Sequence, residues 1–195
     1  MDILLASQNQ HKYQEINDIL KNTNIKLLSL TDFNDNDEVI EDGQTFAENA
    51  LIKAQHYYKK YNIPVISDDS GLVTHYNGKP GIYSSRYAGN NASDNDNNLK
   101  LLKDMQDVNN REAYFICVIC FIYQDKTYYF EGRLEGEIGH DLIGNEGFGY
   151  DPLFILKDGT RLSELKIHEK SQISHRAKAL VKWANFLKEE GLFNE

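Results

Sequence analysis

Residues 3–20 read ILLASQNQHKYQEINDIL, and this stretch decides the fold. Residues 3–7 form a short apolar run, which predicts a buried β-strand. The next apolar residues recur at helical spacing, at Tyr13, Ile16, Ile19 and Leu20, and they predict an amphipathic helix. A strand that leads straight into a helix is the building unit of α/β proteins.

The first half of the chain continues this alternation. Residues 25–30 predict a second strand, and residues 64–67 predict a short buried one. Between them Thr45, with Glu48 three positions later, forms a capping box that opens a second helix. The apolar stripe of that helix is Ala47, Ala50, Ala54, Tyr57 and Tyr61. The order strand, helix, strand, helix, strand is typical of an α/β domain.

The second half is richer in strands. Residues 113–123 and 127–134 predict two strands joined by a turn at Gln124-Asp125, and residues 150–156 predict another. A polar loop at 90–98 leads into a helix that ends near Met105. The last helix has its apolar face at Ala177, Leu180, Val181, Ala184 and Leu187, and Gly191 ends it. We therefore expect an α/β fold with a mixed central sheet and flanking helices, in one structural unit over residues 1–195.

Composition narrows the classes of function. A chain of 195 residues, 41% of them hydrophobic, can bury a core in one domain or in two lobes that share a cleft. Its net charge of -9 argues against binding to polymeric nucleic acid, which needs arrays of cations. No apolar run has membrane-spanning length and the N-terminus lacks a signal-peptide pattern, so we expect a cytoplasmic protein with no membrane partner. Cys117 and Cys120 point to opposite faces of a predicted strand, which favours buried thiols over a zinc site or a disulfide.

Two adjacent carboxylates, Asp68 and Asp69, follow the predicted strand at 64–67. Open α/β sheets bind their ligands at the carboxyl ends of strands, and neighbouring carboxylates repel each other unless a cation lies between them. Mg²⁺ is the natural candidate, because it prefers a few hard oxygens together with substrate phosphates. Glu41 can supply a further carboxylate. The alternative is that each acid is a turn or helix-cap residue.

Ser7, Asn9 and Lys12 lie where the first strand leads into the first helix. Backbone N–H groups, the helix dipole and an ammonium group can converge there on one anion, which suits phosphate. The alternative is a Ser or Asn cap followed by a solvated lysine. Lys53, four residues after Asn49 and away from the alanine stripe, either reaches a ligand or points into water.

Two later segments suit a ligand with an aromatic ring and a carbonyl group. Lys170, His175 and Arg176 fall at the predicted start of the last helix, where positive charge opposes the helix dipole and so favours an anionic or carbonyl-bearing ligand. Residues 147–152 overlap the end of the glycine-rich loop at 144–149 and carry aromatic side chains. Aromatic rings on a flexible loop are what a base-stacking site requires. An ordinary charged first turn and a hairpin turn with core aromatics are the alternatives.

Five stretches of the chain resemble the family of inosine triphosphate pyrophosphatases, enzymes that remove deaminated purine nucleotides. The stretches are LLASQNQHKYQEI at 4–16, EDGQTFAENALIKA at 41–54, SDDSGL at 67–72 with GKPGIYSSRYAG at 78–89, GFGYDPLF at 147–154, and EKSQISHRAKAL at 169–180. They occur in the family's order and at its spacing over nearly the whole chain. The resemblance implies an α/β protein with a cleft between two lobes, a homodimer, a Mg²⁺ requirement and a nucleoside triphosphate substrate.

The resemblance also implies roles for individual residues. It assigns Asp69 as the general base, and it assigns Glu41, Asp69 and Asp68 to the metal. At the triphosphate it places Ser7, Gln8, Asn9, Gln10, His11, Lys12 and Lys53, with Ser70 as a further substrate contact. At the base it places the stacking loop Phe148, Gly149, Tyr150 and Asp151, and the recognition set Lys170, His175 and Arg176. The family often has Asn where this chain has Ser171.

Hydrogen-bond polarity explains the selectivity that the resemblance implies. His175, Arg176 and backbone N–H groups are donors, and they satisfy the keto oxygen at position 6 of inosine or xanthosine. The amino group of adenine would find no acceptor there, and a site built around a substrate hydrogen bond rejects such a mismatch strongly. We expect hydrolysis to the monophosphate and pyrophosphate, with ATP as a poor substrate.

Two other functions compete with this interpretation. A related pyrophosphatase family that acts on pyrimidine or modified nucleotides usually carries Ser-Pro-Arg-Arg after the first strand, where this chain has Gln8-Asn9-Gln10-His11-Lys12. A nucleotide sensor would bind without turnover. The carboxylates of Glu41, Asp68 and Asp69 argue against a sensor, because a pure binder needs no metal-activated water.

Overall fold

A six-stranded sheet organises the chain, which we describe from a computed structural model over residues 1–144 and 147–193. The strands are β1 Asp2–Leu5, β2 Lys26–Leu28, β3 Val65–Thr74, β4 Glu112–Tyr123, β5 Lys126–Ile138 and β6 Phe154–Leu156. The α-helices are α1 Gln10–Leu20, α2 Phe46–Tyr61, α3 Asp94–Asp104, α4 Ile167–Ile173 and α5 His175–Glu189. Short 3-10 segments occupy Leu30–Phe33, Gly81–Arg86, Asp151–Leu153 and Leu162–Glu164.

The strand order is β2-β1-β3-β4-β5-β6. β1 is parallel to both β2 and β3, whereas β5 and β6 are antiparallel. β4 and β5 form a hairpin whose turn residues, Gln124 and Asp125, both have positive φ angles, as two-residue hairpin turns require. The mixed central sheet with flanking helices that the sequence predicts is confirmed.

The chain forms two compact units, each with its own core. The first unit contains Met1–Asp69, Val118–Glu131 and the chain from Lys178 onward, and the second contains Ser70–Cys117 and Gly132–Ala177. The first core consists of Leu4, Ala6, Leu30, Ala50, Ala54, Tyr57, Val65, Cys120 and Ile122. The second consists of Leu72, Leu101, Met105, Ala113, Phe115, Leu134, Ile138, Tyr150, Leu153, Phe154 and Leu162. In the described part of the chain, no helix combines the length and apolarity needed to cross a membrane.

Strand β3 is longer than its sequence suggests. The prediction that a short strand ends before Asp68 is wrong, because β3 runs unbroken from Val65 to Thr74 and includes both aspartates. Its parallel partner β1 ends at Leu5, opposite Ile66. Asp68 and Asp69 therefore lie in β3 beyond the carboxyl end of β1. This is the edge of the sheet at which the sequence predicts ligand binding.

The start of α2 differs from the predicted capping box. Thr45 Oγ1 accepts a hydrogen bond from the Glu48 backbone N at 3.1 Å, as expected. The Glu48 carboxylate, however, accepts from the Gln44 backbone N at 2.6 Å. Glu48 thus ties down the loop before the cap, which satisfies a donor one residue earlier than a regular box does.

Ser174 divides the C-terminal helical region. The prediction that Lys170 and His175 share one helix start is wrong, because Ser174 is extended and separates α4 from α5. Ser174 Oγ accepts from the Ala177 backbone N at 3.0 Å, which is the geometry of a helix N-cap.

The core face of α5 is rotated from the predicted one. Val181 is 57% exposed, whereas Ala179, Leu180, Trp183 and Leu187 are buried. Trp183 sets this face, because its large ring is completely buried and lies edge-on to Phe121, with ring centroids 5.8 Å apart. Gly191 has a φ of 67° after the last turn, so the predicted helix end is confirmed.

The strand predicted at residues 150–156 is shorter than expected. Only Phe154–Leu156 of the strand expected at 150–156 is extended, because Pro152 lies in a 3-10 turn whose geometry suits its fixed φ.

Cys117 and Cys120 are buried and form no disulfide, and burial raises the pKa of the Cys120 thiol to about 12. The buried thiols are confirmed. Asn145 and Glu146, in the predicted glycine-rich loop, lie outside the described residues.

A polar network fixes the acidic loop at 34–45 to the C-terminal half of α2. Asp35, only 4% exposed, accepts hydrogen bonds from Lys60 Nζ at 2.7 Å, Tyr61 OH at 2.5 Å and the Asp37 backbone N at 2.9 Å. Lys60 and His56 also bond the Asp37 carboxylate, each at 2.8 Å. These hydrogen bonds lower the pKa of Asp35 from 3.8 to about 2, and the hydrogen bond from Lys60 makes the largest contribution.

Asp35 should make unfolding pH-dependent in acid. Because its pKa is lower in the folded state, its ionised form stabilises the fold above pH 3.8, and this contribution is lost as the pH falls towards 2. We expect Asp35→Asn to lower the free energy of unfolding at pH 7 by about 2 kcal/mol. In urea titrations followed by circular dichroism, the difference from wild type should shrink below pH 4. Asp37→Asn, at a side chain 43% exposed, should cost less, and a constant difference from pH 7 to pH 3 would contradict the assignment.

Candidate functional site

The turn from β1 into α1 is built around Asn9. Asn9 Oδ1 accepts from the backbone N of His11 at 2.9 Å and of Lys12 at 3.3 Å, so Asn9 is the helix N-cap. Ser7 Oγ in turn accepts from the Asn9 backbone N at 3.2 Å. The cap interpretation therefore holds for Asn9. Gln8, Gln10 and His11 are exposed beside it, while Ser7 is half-buried.

Lys12 is not a solvated lysine. Its Nζ lies 2.7 Å from Asp68 Oδ1, and the two side chains are 17% and 8% exposed. This contact joins the first turn of α1 to the part of β3 that extends past β1. Asp68 is thereby neutralised by a cation from the chain, and its neighbour Asp69 has different surroundings.

Glu41 lies in a loop that is tied to α2 at both ends. The Asp35 network holds the start of this loop, and the Gln44–Glu48 and Thr45–Glu48 hydrogen bonds hold its end. The Glu41 carboxylate forms an ion pair with Lys53 Nζ, and both side chains are less than a third exposed. Lys53 therefore faces a carboxylate. Of the two alternatives that the sequence leaves open, the one in which Lys53 points freely into water is wrong.

Asn49 joins the Glu41 loop to Asp69. It is 2% exposed, its Oδ1 accepts from the Gly43 backbone N at 2.9 Å, and its Nδ2 donates to Asp69 Oδ2 at 3.2 Å. A Cβ at position 43 would lie 2.7 Å from Asn49 Oδ1, so this approach requires glycine. Sequence reasoning missed Asn49 and Gly43. The sequence held no clear signal for Asn49, because it lies outside the apolar stripe of α2 and on the same side as Lys53.

The surroundings of Asp69 disfavour its charge. Burial raises its pKa, and so do the charges of Glu41 and Asp68, whereas Lys53 and the hydrogen bond from Asn49 oppose this rise. Three carboxylates, those of Glu41, Asp68 and Asp69, lie close enough here for their charges to repel one another, with Lys53 paired to Glu41 and Lys12 to Asp68. A bound cation would relieve this repulsion.

The donor chemistry fits Mg²⁺ more closely than a metal held by protein ligands alone. Within residues 1–144 and 147–193, no three His, Cys, Asp or Glu side chains are arranged to hold a metal together. Mg²⁺ commonly uses one or two carboxylates and takes its other ligands from water and phosphate. Glu41 and Asp69 can supply these oxygens. Asp68, predicted as a third ligand, instead pairs with Lys12.

The second unit carries the other predicted residues, beginning with the loop at 147–151. The Phe148 ring is 75% exposed, whereas Tyr150 is only 5% exposed and its OH donates to the Ser84 backbone O at 2.6 Å. Tyr150 is therefore a core residue, and the expectation that its ring stacks on a base is not supported. Of these two rings, only Phe148 presents an accessible face.

Asp151 and Lys170 support this loop from beneath. Lys170 Nζ lies 3.0 Å from Asp151 Oδ2, which also accepts from the Phe148 backbone N at 3.2 Å. Burial raises the pKa of Asp151, and the hydrogen bond from Lys170 opposes the rise. A Cβ at Gly147, whose φ is 95°, would collide with both charged groups. Lys170 is thus engaged by the protein, although the sequence predicts it to contact the base.

His175 and Arg176 open helix α5 and are both half-buried. The His175 ring stacks on Phe115, with centroids 5.2 Å apart and an interplanar angle of 17°. This stacking fixes the plane of the imidazole. Ser70, which follows Asp69 in β3, is also half-buried.

Comparison with known proteins identifies the family of the chain. A model of the Ham1 family matches residues 3–186. A dITP/XTP pyrophosphatase of Thermoanaerobacter sp. (strain X514) is 44% identical over 191 residues, which cover 96% of each chain. One of Clostridium perfringens (strain 13 / Type A) is 44% identical over 95% of this chain and 96% of its own. The solved Staphylococcus aureus Ham1 protein superposes with a TM-score of 0.92 at 39% identity, over 97% of this chain and 100% of that one. The chain therefore belongs to the Ham1 family, as the resemblance of its five sequence stretches predicts.

Proposed function

We propose that this protein hydrolyses the triphosphates of deaminated purine nucleosides, dITP, ITP and XTP, to the monophosphate and pyrophosphate. The observation that carries the proposal is the half-buried Asp69, placed by Asn49 beside the Glu41–Lys53 pair and next to Asp68–Lys12. The dITP/XTP pyrophosphatase names of relatives that match nearly the whole chain support it.

The first unit has the groups needed for the phosphate chemistry. Lys12 and Lys53 supply positive charge for the triphosphate, and the N-terminus of α1 supplies oriented N–H groups. Glu41 and Asp69 would hold Mg²⁺, which when bound supplies charge neutralisation at the phosphate oxygens. Water forms a bond to the α-phosphorus, and the bond from that phosphorus to the bridging oxygen of the β-phosphate breaks, releasing pyrophosphate.

Asp69 is the carboxylate best suited to accept the proton of the attacking water. In the metal-free protein its pKa is raised, mainly by burial, so that its carboxylate holds a proton more readily than an ordinary aspartate does. Asp68 instead forms an ion pair with Lys12, whose Nζ lies 2.7 Å from its Oδ1, so a cation of the chain already engages its carboxylate. The two neighbouring aspartates thus have different roles in this proposal. Asp68 positions Lys12, and Asp69 accepts the proton of the attacking water.

The second unit carries the groups proposed to recognise the base. The exposed Phe148 ring offers a surface for stacking. His175 and Arg176 donate hydrogen bonds to the keto oxygen at purine position 6, whereas an adenine amino group there would leave these donors unsatisfied. Selectivity for inosine and xanthosine over adenosine follows from this polarity.

A homodimer, a cytoplasmic location and the choice of Mg²⁺ are also part of the proposal. They rest on the family resemblance and, for Mg²⁺, on the oxygen-donor set of Glu41 and Asp69. Size-exclusion chromatography with light scattering tests the dimer.

The substrate and metal should be visible in one assay. We expect pyrophosphate release from ITP, dITP and XTP with Mg²⁺, no release after chelation with EDTA, and at least about 10²-fold lower kcat/KM for ATP, because donors would face its amino group. UTP serves as the control for the pyrimidine-directed alternative. Equal rates on ATP and ITP would contradict the base-recognition argument, and tight binding of ITP without turnover would indicate a sensor.

Asp69 and Glu41 should be essential for turnover but not for folding. We expect Asp69→Asn and Glu41→Gln each to lower kcat for ITP by about 10³-fold or more, since each loses a carboxylate charge at the reacting phosphate. Asp69→Asn should melt no lower than wild type, because it removes a charge that burial disfavours.

The matched control is Asp42→Asn, which removes one charge from the exposed residue next to Glu41. It should keep wild-type kinetics. Loss of activity in this control equal to that of Glu41→Gln would show that the loop, and not the Glu41 carboxylate, is what the reaction needs.

A further inference from the structure

Within its own segment the Phe148 backbone is held by Asp151, through hydrogen bonds of 3.2 and 3.3 Å, and the adjacent Gly149 is held from outside the segment. The ring is 75% exposed, and residues 147–150 have no regular secondary structure. A side chain on an unanchored loop loses conformational freedom when it stacks on a ligand, and this loss weakens binding. A stacking residue is therefore effective only where the surrounding backbone is already fixed.

Helix α3 fixes that backbone at Gly149. The Gly149 backbone N donates to Asp94 Oδ2 at 2.7 Å, and Asn98 Nδ2 donates to the Gly149 backbone O at 2.8 Å. Asp94 and Asn98 are four residues apart in α3, so their side chains share one face of the helix. Both polar groups of the peptide backbone at Gly149 are thus held by a single turn of α3. The φ of Gly149 is 61°, in the left-handed region that favours glycine.

Asn98 carries an energetic cost that its role in the loop explains. It is 3% exposed, and its Nδ2 donates both to Gly149 O and to Asp94 O, each at 2.8 Å. Its buried Oδ1 accepts no hydrogen bond within the described part of the chain. A buried acceptor without a donor destabilises a fold, so an apolar residue of similar size would suit the helix better. The amide is useful for its two donated bonds, one of which holds Gly149.

We propose that Asp94 and Asn98 are positioning residues for base recognition, which hold Gly149 and through it orient the adjacent Phe148 ring for stacking on the purine. The inference rests on the proposed function and adds to it two residues of α3, outside the segments that carry the predicted base contacts. Asp94 and Asn98 act through Phe148, so their effect depends on that ring.

A double-mutant cycle with Phe148 tests this dependence. KM and kcat for ITP are measured by pyrophosphate release for wild type, Asn98→Leu, Phe148→Ala and the double variant. We expect Phe148→Ala to raise KM about tenfold through lost stacking. Asn98→Leu should raise KM by about the same factor while changing kcat less than about twofold. In the Phe148→Ala background, Asn98→Leu should raise KM less than about twofold, because the ring it positions is gone.

Two further variants separate positioning from damage to the helix. Asp94→Ala removes the acceptor for Gly149 N at an exposed residue, so it carries the same test if Asn98→Leu fails to fold. Asp94→Asn keeps an oxygen acceptor and should restore KM to within about twofold of wild type. Asn95→Leu, at an exposed residue of the same helix, is the matched control and should leave KM unchanged.

Several results would overturn the inference. KM factors that multiply fully in the double variant would show that Asn98 acts independently of Phe148. A wild-type KM in folded Asn98→Leu or in Phe148→Ala would also refute it. In each of these cases wild type still releases pyrophosphate from ITP, so the proposed function survives. Absence of pyrophosphate release by wild type would refute the proposed function, and this inference with it.

Discussion

The buried amide of Asn49 is the contact on which the first cluster of functional residues depends. It accepts from the Gly43 backbone and donates to Asp69, so one side chain on α2 sets the position of the Glu41 loop and of the carboxylate on β3. Ser67 strengthens the same packing, because its hydroxyl donates to the Ala50 backbone O at 2.5 Å and is completely buried. Helix and strand are thus joined by hydrogen bonds at the point where the carboxylates gather. Apolar packing alone would not fix their orientation so closely.

Charge is arranged in this cluster at a cost to stability. An acidic protein of net charge -9 brings the carboxylates of Glu41, Asp68 and Asp69 together, with Lys53 and Lys12 as ion-pair partners of the first two. Burial and like charge raise the pKa of Asp69, which means that its ionised form is held in unfavourable surroundings. Such an arrangement is expected at a site that binds a cation and a polyphosphate, since the ligands supply the compensation that the fold leaves out. A purely structural aspartate would be better placed in the surroundings of Asp35, where hydrogen bonds lower the pKa.

Periodicity and turn chemistry in the sequence predict the class of fold, because strands and helices bury one face and leave the other polar. The β1-to-α1 turn and the hairpin at Gln124-Asp125 follow from local signals of this kind. The errors arise where a distant partner overrides a local signal. Asp68 and Asp69 look like the end of a strand, yet β3 continues through them, with Asp68 paired to Lys12 and Asp69 accepting a hydrogen bond from Asn49. Val181 lies in the apolar pattern of α5, yet the large buried ring of Trp183 turns the helix another way.

The same limit applies to the two clusters of functional residues, whose members were predicted as separate residues and not as contacts. The sequence leaves Lys53 between a ligand and solvent and predicts that Lys170 contacts the base, but a carboxylate from another segment engages each of them. Asn49 and Asn98 were not predicted at all, because an amide in a helix gives no sign of which backbone group it will bind. Both are almost completely buried, and each uses its amide to hold a loop backbone at a glycine, at Gly43 and Gly149 respectively. Neither loop has regular structure, and in each the buried amide of the neighbouring helix is one of the contacts that hold the backbone. An apolar residue at either position would avoid the cost of burying a polar group, but it could not hydrogen-bond the loop backbone. These two amides are therefore better explained by function than by stability.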